Sequence, residues 1–123
     1  MEMTLPAEPA SVPELRHRAA QYAADQGVEP AVVDDVALAV SEAVTNAVKY
    51  ARAAEAEGVV ELAGAQRGGW LELTVRDRGE GFGQGSTDGL GLGLSIIARL
   101  CSELTIVQEG DGTEVRMRFP LSG

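Results

Sequence analysis

One stretch of this chain is built largely from glycine, and it limits where regular structure can form. Residues 79–93 contain seven of the 15 glycines in a chain of 123 residues. Glycine loses more backbone freedom on folding than any other residue, so this density is unfavourable for a helix or a strand. We therefore predict a mobile loop over residues 79–93 that serves a ligand, with regular elements on either side.

Two helices are predicted before this loop. Ser11-Val12-Pro13-Glu14 has the spacing of a capping box, and apolar residues then recur every three or four positions as far as Asp25. A longer apolar stripe predicts a second helix over residues 30–52. The short stretch Met3-Thr4-Leu5 ahead of both fits either an edge strand or a loose leader.

Strand-like alternation occurs in two pairs of segments. Residues 59–65 and 70–77 flank Gly68 and Gly69, which is typical of a hairpin, and Leu71, Leu73 and Val75 are expected to share one face. Residues 104–108 and 113–120 alternate in the same way across a second turn. The sequence therefore predicts two β-hairpins, one on each side of the glycine stretch.

Helical spacing returns over residues 94–103, with Leu94, Ile97, Ala98 and Cys101 on the predicted buried face. Pairs of strands that are interrupted by helices are typical of an α+β fold. We predict a single domain over residues 1–123. It would be a two-layer sandwich in which three helices cover one face of a mixed, mostly antiparallel sheet of four to five strands.

The charge balance of the chain argues against several classes of function. There are 19 acidic residues against 10 Lys and Arg, so the formal charge is −9. Proteins that grip nucleic acid without sequence preference neutralise phosphates with cations, so direct nucleic-acid binding is not expected. No apolar run approaches the ~20 residues of a membrane helix, and we expect a cytoplasmic protein that acts on proteins or small ligands.

The chain also lacks the soft ligands that a zinc site requires. Cys101 is its single cysteine and His17 its single histidine. One thiol forms no intrachain disulfide, and two soft ligands are too few for a structural zinc site. We expect Cys101 to be a packing residue and His17 to lie at the surface.

The second predicted helix carries two polar residues that could serve chemistry. Glu42 and Asn46 are four positions apart, so both side chains leave the same helical face. A carboxylate can deprotonate a nucleophile, and an amide oxygen is a suitable ligand for Mg²⁺. Taken alone, such a pair is more typical of a solvated helix face.

A carboxylate and two glycines mark the start of the glycine stretch. Asp77 closes a predicted strand, and Gly79 and Gly81 follow at alternate positions. Glycines at such a place let a ligand approach the backbone closely. Taken alone, this pattern also fits an ordinary exit from a strand into a loop.

A second glycine motif marks the end of the stretch. Gly89, Gly91 and Gly93 lead directly into the third predicted helix. Free amides and the positive end of the helix dipole favour a phosphate there. The spacing is not that of a Walker loop, and the motif alone also fits a flexible linker.

The order of the three motifs resembles a known superfamily. SEAVTNAVKYA (residues 41–51), DRGEGF (77–82) and GLGLGLSII (89–97) are similar to the N-box and the two glycine boxes of the GHKL ATPases. Within that superfamily, nearly the whole chain resembles the RsbW and SpoIIAB group of anti-sigma factors, which are small serine kinases. The resemblance implies the Bergerat ATP-binding fold, with ATP and Mg²⁺ as cofactors.

The resemblance also implies a role for each motif residue. Glu42 would be the catalytic base and Asn46 the Mg²⁺ ligand. Asp77 would accept the adenine amino group, supported through a water by Thr113 on the last hairpin. The base pocket would be formed by Gly79 and Gly81, and the triphosphate site by Gly89, Gly91 and Gly93.

Two further residues and a lid follow from the same resemblance. Lys49 belongs to the sequence NAVKY, a motif common in sensor histidine kinases. The lysine of that motif contacts phosphate, and Lys49 would do the same. Tyr50 stands where many anti-sigma factors have histidine. Arg16 resembles an arginine of the first helix that the group uses for contacts with partners. Residues 82–88 would form a short lid.

The implied function is that of an anti-sigma factor with serine kinase activity. It would sequester a sigma factor and phosphorylate an anti-anti-sigma partner of the STAS type on serine. Two alternatives stay open: a regulatory module that only occludes its partner, with or without ATP, and a stand-alone piece of a sensor-kinase system that acts on histidine or aspartate. The pattern also leaves open whether the chain is a homodimer.

Overall fold

The computed structural model describes residues 1–53, 58–78, 90–109 and 112–121. These residues form three helices and five strands. The stretch Met3-Thr4-Leu5, which fitted either an edge strand or a loose leader, belongs to an edge strand. In chain order the elements are β1 (Glu2–Pro6), α1 (Ser11–Asp25), α2 (Pro30–Ala53), β2 (Val59–Arg67), β3 (Trp70–Arg78), α3 (Leu90–Leu100), β4 (Glu103–Glu109) and β5 (Gly112–Pro120).

The strands form one sheet in the order β1-β2-β3-β5-β4. Every pair of neighbouring strands within the described residues is antiparallel. A mixed sheet was predicted, but no parallel pair of strands is found among these residues. Hairpin connections enforce this direction between β2 and β3 and between β4 and β5. The predicted α+β sandwich with three helices is confirmed, and its sheet has five strands, within the predicted four to five.

The turn between β2 and β3 is the predicted glycine hairpin. Gly68 and Gly69 have φ angles of 54° and 86°, both in the left-handed region. A two-residue loop with positive φ at both positions matches the right-handed twist of the flanking strands. This turn fixes the register in which Val60 lies opposite Asp77.

The core lies between α2 and the inner face of the sheet. From the sheet, the predicted residues Leu71, Leu73 and Val75 are all at most 1% exposed. From α2, the fully buried residues are Val36, Ala39, Val40, Ala43 and Val44. The predicted apolar stripe of α2 is therefore the face that packs on the sheet, between α1 on one side and α3 on the other.

Ser11 does not act as the predicted helix cap. It is already the first residue of α1, and the cap position belongs to Ala10, which makes no side-chain cap hydrogen bond. The Ser11 hydroxyl is buried and instead donates to the carbonyl oxygen of Pro6 at 2.6 Å. A buried hydroxyl needs a partner, and the turn after β1 brings that carbonyl within reach.

The third helix begins four residues earlier than predicted and ends three residues earlier. Gly91 and Gly93 therefore lie in the first part of α3, and Glu103 begins β4. Each glycine costs a helix about 1 kcal/mol, an amount that tertiary packing can outweigh. Ala98 was predicted to be buried and is exposed, so the buried stripe of α3 is narrower than its sequence suggests.

The outer face of the sheet carries a network of ion pairs. Glu72 lies at its centre and is only 11% exposed at its side chain. Its carboxylate contacts Arg118 at 3.2 Å, Arg67 at 3.4 Å and Arg116 at 3.9 Å. Cross-strand pairs of opposite charge stabilise a sheet modestly, so this face is ordered although it is polar.

Two remaining expectations concern the surface. His17 is exposed, as predicted, whereas Cys101 is only half-buried, at the junction of α3 and β4. Among the residues that the structure describes, no helix combines the length and the apolar character needed to span a membrane.

The side chain of Tyr22 on α1 packs closely over Gly64 in β2. A Cβ atom built on Gly64 would lie 2.6 Å from Cε2 and 2.9 Å from Cδ2 of the Tyr22 ring. These distances are shorter than carbon atoms tolerate, so the ring requires glycine beneath it.

We predict that Gly64→Ala lowers the free energy of unfolding by about 1–3 kcal/mol, because the ring or the strand must shift. Urea unfolding followed by circular dichroism measures this loss. In a Tyr22→Ala background the same change should cost much less, since the clash is gone. An equal cost in both backgrounds would contradict the packing described above.

Candidate functional site

Glu42 and Asn46 lie one turn apart in α2, on the same face of the helix. Asn46 is buried, with 5% of its surface exposed. Glu42 lies one turn earlier and is half-buried, and Lys49 lies one turn later and is exposed. The helix therefore offers an amide, a carboxylate and an ammonium group at different depths, between the core and the surface.

Asp77 and Thr113 come together at the end of the two central strands. Asp77 is the penultimate residue of β3, and its register partners are Thr113 on β5 and Val60 on β2. Both polar residues are buried, at 6% and 2% exposure respectively. Residues 36 positions apart in the sequence thus form a buried polar pair beside the apolar core.

The carboxylate of Asp77 is incompletely satisfied. Its Oδ2 atom is the one buried side-chain oxygen or nitrogen of the described residues that has no hydrogen-bond partner. Burial raises the pKa of Asp77 from its ordinary 3.8 to about 6 by desolvating the charged form. A buried polar atom without a partner costs free energy, so this arrangement is expected where a ligand supplies the missing donor.

The glycine motifs are only partly within the described residues. Gly91 and Gly93 lie in the first part of α3, which packs against α2. The amides of a first helical turn have no partner within the helix and favour an anion. Gly79, Gly81, Gly89 and the predicted lid over residues 82–88 lie outside the described residues.

Two further expectations concern a contact with a partner protein and a metal site. Arg16, the predicted partner contact, is exposed on α1. Within the described ranges, no three His, Cys, Asp or Glu side chains are grouped so that they could hold a metal ion. No such cluster lies beside Asn46 within those ranges.

A cavity next to α2 was not anticipated from the sequence. It has a volume of about 410 Å³ and is lined by Pro9 from the turn before α1, by Val12 from α1, and by Thr45, Val48 and Lys49 from α2. Periodicity gave no signal for it, because the packing of one helix end against another depends on how the connecting segment turns. We call it the α1–α2 cavity.

Comparison with known proteins identifies the family. The model of the histidine kinase-like ATPase domain matches residues 5–119. The chain belongs to this family. It also belongs to the RsbW serine-protein kinases: it is 32% identical to the RsbW of Bacillus velezensis over 139 residues, an alignment that covers all of this chain and 86% of the relative. The RsbW of Bacillus subtilis is 31% identical with the same coverage.

A sensor kinase matches over a smaller part. The blue-light-activated histidine kinase 2 of Erythrobacter litoralis is 36% identical over 95 residues, which are 71% of this chain but 27% of that protein. The similarity therefore lies in one domain of a longer kinase.

Solved structures show the same fold. The RsbU and RsbW domains of a Mycobacterium tuberculosis protein superpose with a TM-score of 0.77 at 26% identity, over 98% of this chain and 31% of that one. The SiaB–SiaC complex of Pseudomonas aeruginosa gives a TM-score of 0.71 at 19% identity, over 97% of this chain and 88% of that one. The second likeness concerns the fold alone.

The state of Asp77 leads to a prediction about stability. Because its folded-state pKa is raised, the folded protein binds a proton more tightly than the unfolded chain does. The unfavourable contribution of this carboxylate is therefore complete above about pH 6 and disappears as the pH falls towards 3.8.

We expect Asp77→Asn to raise the free energy of unfolding of the ligand-free protein by roughly 1–3 kcal/mol at about pH 8, because a neutral amide is cheaper to bury. The gain should shrink towards about pH 4, where Asp77 is itself neutral. Urea unfolding at several pH values measures both effects. Asp34→Asn, at an exposed position of α2, is the matched control; a gain of the same size there would show that the effect is not specific to the buried site.

Proposed function

We propose that this chain is an anti-sigma factor of the cytoplasm and an ATP-dependent protein serine kinase, which holds a sigma factor inactive and phosphorylates an anti-anti-sigma protein on serine. The observation that carries the proposal is the buried, unpartnered carboxylate oxygen of Asp77 in a member of the histidine kinase-like ATPase family. Such an oxygen has a use only if a ligand donates to it.

The donor set of ATP fits this site. An exocyclic amino group of adenine would supply the hydrogen that Asp77 Oδ2 lacks, and the ionised carboxylate would accept it. Thr113 lies opposite Asp77 in the sheet and is equally buried, so its hydroxyl is suitably placed to support this contact through a water. Gly79 and Gly81 would leave room for the base beside them.

The phosphates would extend from the adenine towards α2 and α3. The amides at the start of α3, around Gly91 and Gly93, would face them, with Gly89 just before the helix. Lys49, exposed on α2, would add a positive charge. A bound Mg²⁺ would neutralise charge on the transferred phosphate, and Asn46 offers it a hard oxygen ligand while the phosphates supply others.

Glu42 is suited to act as the base in the transfer. It is half-buried one turn before Asn46, so its carboxylate is near the metal ligand and still within reach of a docked protein. As the serine oxygen of the acceptor bonds to the γ-phosphorus, the bond to the ADP oxygen breaks, and Glu42 takes the proton that the serine loses. Arg16 on α1 would contact a partner protein through its exposed guanidinium.

We predict that Asp77→Asn weakens binding of a non-hydrolysable ATP analogue by about tenfold or more, because the variant amide can no longer act as a charged acceptor. Isothermal titration with and without Mg²⁺ measures this affinity, and Asp34→Asn is again the control. Since the same change should stabilise the ligand-free protein, a loss of affinity cannot be ascribed to unfolding. If the unaltered chain bound no nucleotide, it would be a partner-occluding module and the kinase assignment would be withdrawn.

We predict that Glu42→Gln reduces phosphate transfer by about a hundredfold or more while nucleotide affinity stays within about twofold, because only the base is removed. The assay uses radiolabelled ATP and the purified STAS-type proteins of the same organism. Acid-stable label would indicate phosphoserine, whereas acid-labile label would indicate a histidine acceptor. An unchanged rate in Glu42→Gln would exclude Glu42 as the base.

A further inference from the structure

Asp77 is the one acidic residue that is buried in the described part of the chain. Its neighbours in the sheet, Val60 on β2 and Thr113 on β5, are also buried and carry no charge. Its Oδ2 atom has no hydrogen-bond partner. An ionised carboxylate in such a place has lost hydration without gaining a donor, so proton uptake removes an unfavourable charge.

The charged residues at the next position of the central strands lie on the other face of the sheet. Glu61 on β2, Arg76 on β3 and Glu114 on β5 form one register row beside that of Asp77. Successive side chains of a strand point to opposite faces, so this row lies on the outer face while Asp77 lies on the inner face. The sheet between them separates these charges from the Asp77 carboxylate.

The helix that packs on β3 adds no buried charge among its described residues. On α2, Asn46 is a buried neutral amide, whereas Glu42 is half-buried and Lys49 is exposed. Burial desolvates the charged form of Asp77 and raises the pKa of this carboxyl from 3.8 to about 6. Asp77 therefore changes its charge closer to neutral pH than an ordinary aspartate does.

A proton and an adenine amino group would compete for the carboxylate of Asp77. An ionised carboxylate accepts at both oxygens, whereas protonation turns one of them into a hydroxyl donor. Hydrogen bonds to an ionised acceptor are roughly twice as strong as those between neutral groups. A nucleotide therefore favours the ionised form, and a protonated Asp77 must release its proton when the nucleotide binds.

We propose that Asp77 couples nucleotide binding to proton release, so that acidification lowers the affinity of the chain for ATP and ADP alike. The proposal rests on the proposed function, because it takes adenine as the group that Asp77 binds. The coupling acts at the base, so it does not depend on the number of phosphates. Affinity is complete well above about pH 6 and is lost as the pH falls through that value.

The first test measures the affinity for a non-hydrolysable ATP analogue and for ADP by isothermal titration at about pH 8, 6 and 5. Binding is measured rather than phosphate transfer, because a general base also depends on pH. Asp77→Asn is the reference, since the phosphates of the nucleotide titrate in the same way with either protein. Relative to this variant, the affinity of the unaltered chain should fall about twofold at pH 6 and about fivefold or more at pH 5, for both nucleotides.

The number of protons released is measured directly by titration in buffers of different ionisation enthalpy. At about pH 6 the unaltered chain should release about half a proton more than Asp77→Asn does. Histidine is the side chain that ordinarily changes charge in this range, and His17 is the single one of the chain, exposed on α1. His17→Gln and Asp34→Asn, both at exposed positions, should keep the full release. Loss of the release in either control would assign the proton to the surface and overturn the proposal.

A spectroscopic readout follows Asp77 itself. Its ¹³C carboxyl signal, assigned by its absence from Asp77→Asn, should titrate with a midpoint near pH 6 in the ligand-free protein. Bound ADP should lower this midpoint by about one pH unit or more. An unchanged midpoint, or equal proton release by the unaltered chain and Asp77→Asn, would exclude the coupling and leave the kinase function standing. A chain that binds no nucleotide at any pH would instead contradict the proposed function.

Discussion

The packing of α2 on the inner face of the sheet is the contact on which the rest of the structure depends. Its buried stripe runs through Val36, Val40 and Val44, which meet the inward residues of the central strands β3 and β5. Burial of apolar side chains in this core supplies most of the driving force for folding. The same packing fixes the rotation of α2 about its own axis. In this orientation Glu42 lies near the protein surface, and Asn46 lies between the surface and the core.

Asp77 lies at the edge of this core. Its buried carboxylate lowers the stability of the ligand-free protein and offers a hydrogen-bond acceptor to a ligand. A carboxylate at the edge of an apolar core is desolvated, and its Oδ2 atom has no partner. The folded chain tolerates this unfavourable group because the apolar contacts around it outweigh the cost. Sites of this kind are expected where a ligand, rather than the protein, supplies the missing hydrogen bond.

The two faces of the molecule have different properties. On the outer face of the sheet, the ion pairs around Glu72 place opposite charges side by side. The helical side has Leu38 exposed and a cavity between α1 and α2 that Lys49 lines. The helical side also bears Glu42, so the surface suited to a protein partner and the proposed base share one helix. Proteins that modify other proteins need this proximity, because the acceptor must dock beside the reacting group.

The sequence by itself determined the helices, the strands other than β1, their order and the class of fold, because apolar periodicity and glycine turns are local signals. It also determined the family, since the three motifs around Asn46, Asp77 and Gly91 are short runs of residues that can be recognised in the sequence. Boundaries were less predictable: Ser11 and the start of α3 differed because a nearby carbonyl and tertiary packing outweighed local preference. Only the tertiary structure decided that Asp77 lies beside Thr113 with an oxygen unpaired, and that α1 and α2 leave a cavity lined by Val12 and Thr45. Those features arise from residues far apart in the chain, and their distances depend on how the whole core packs.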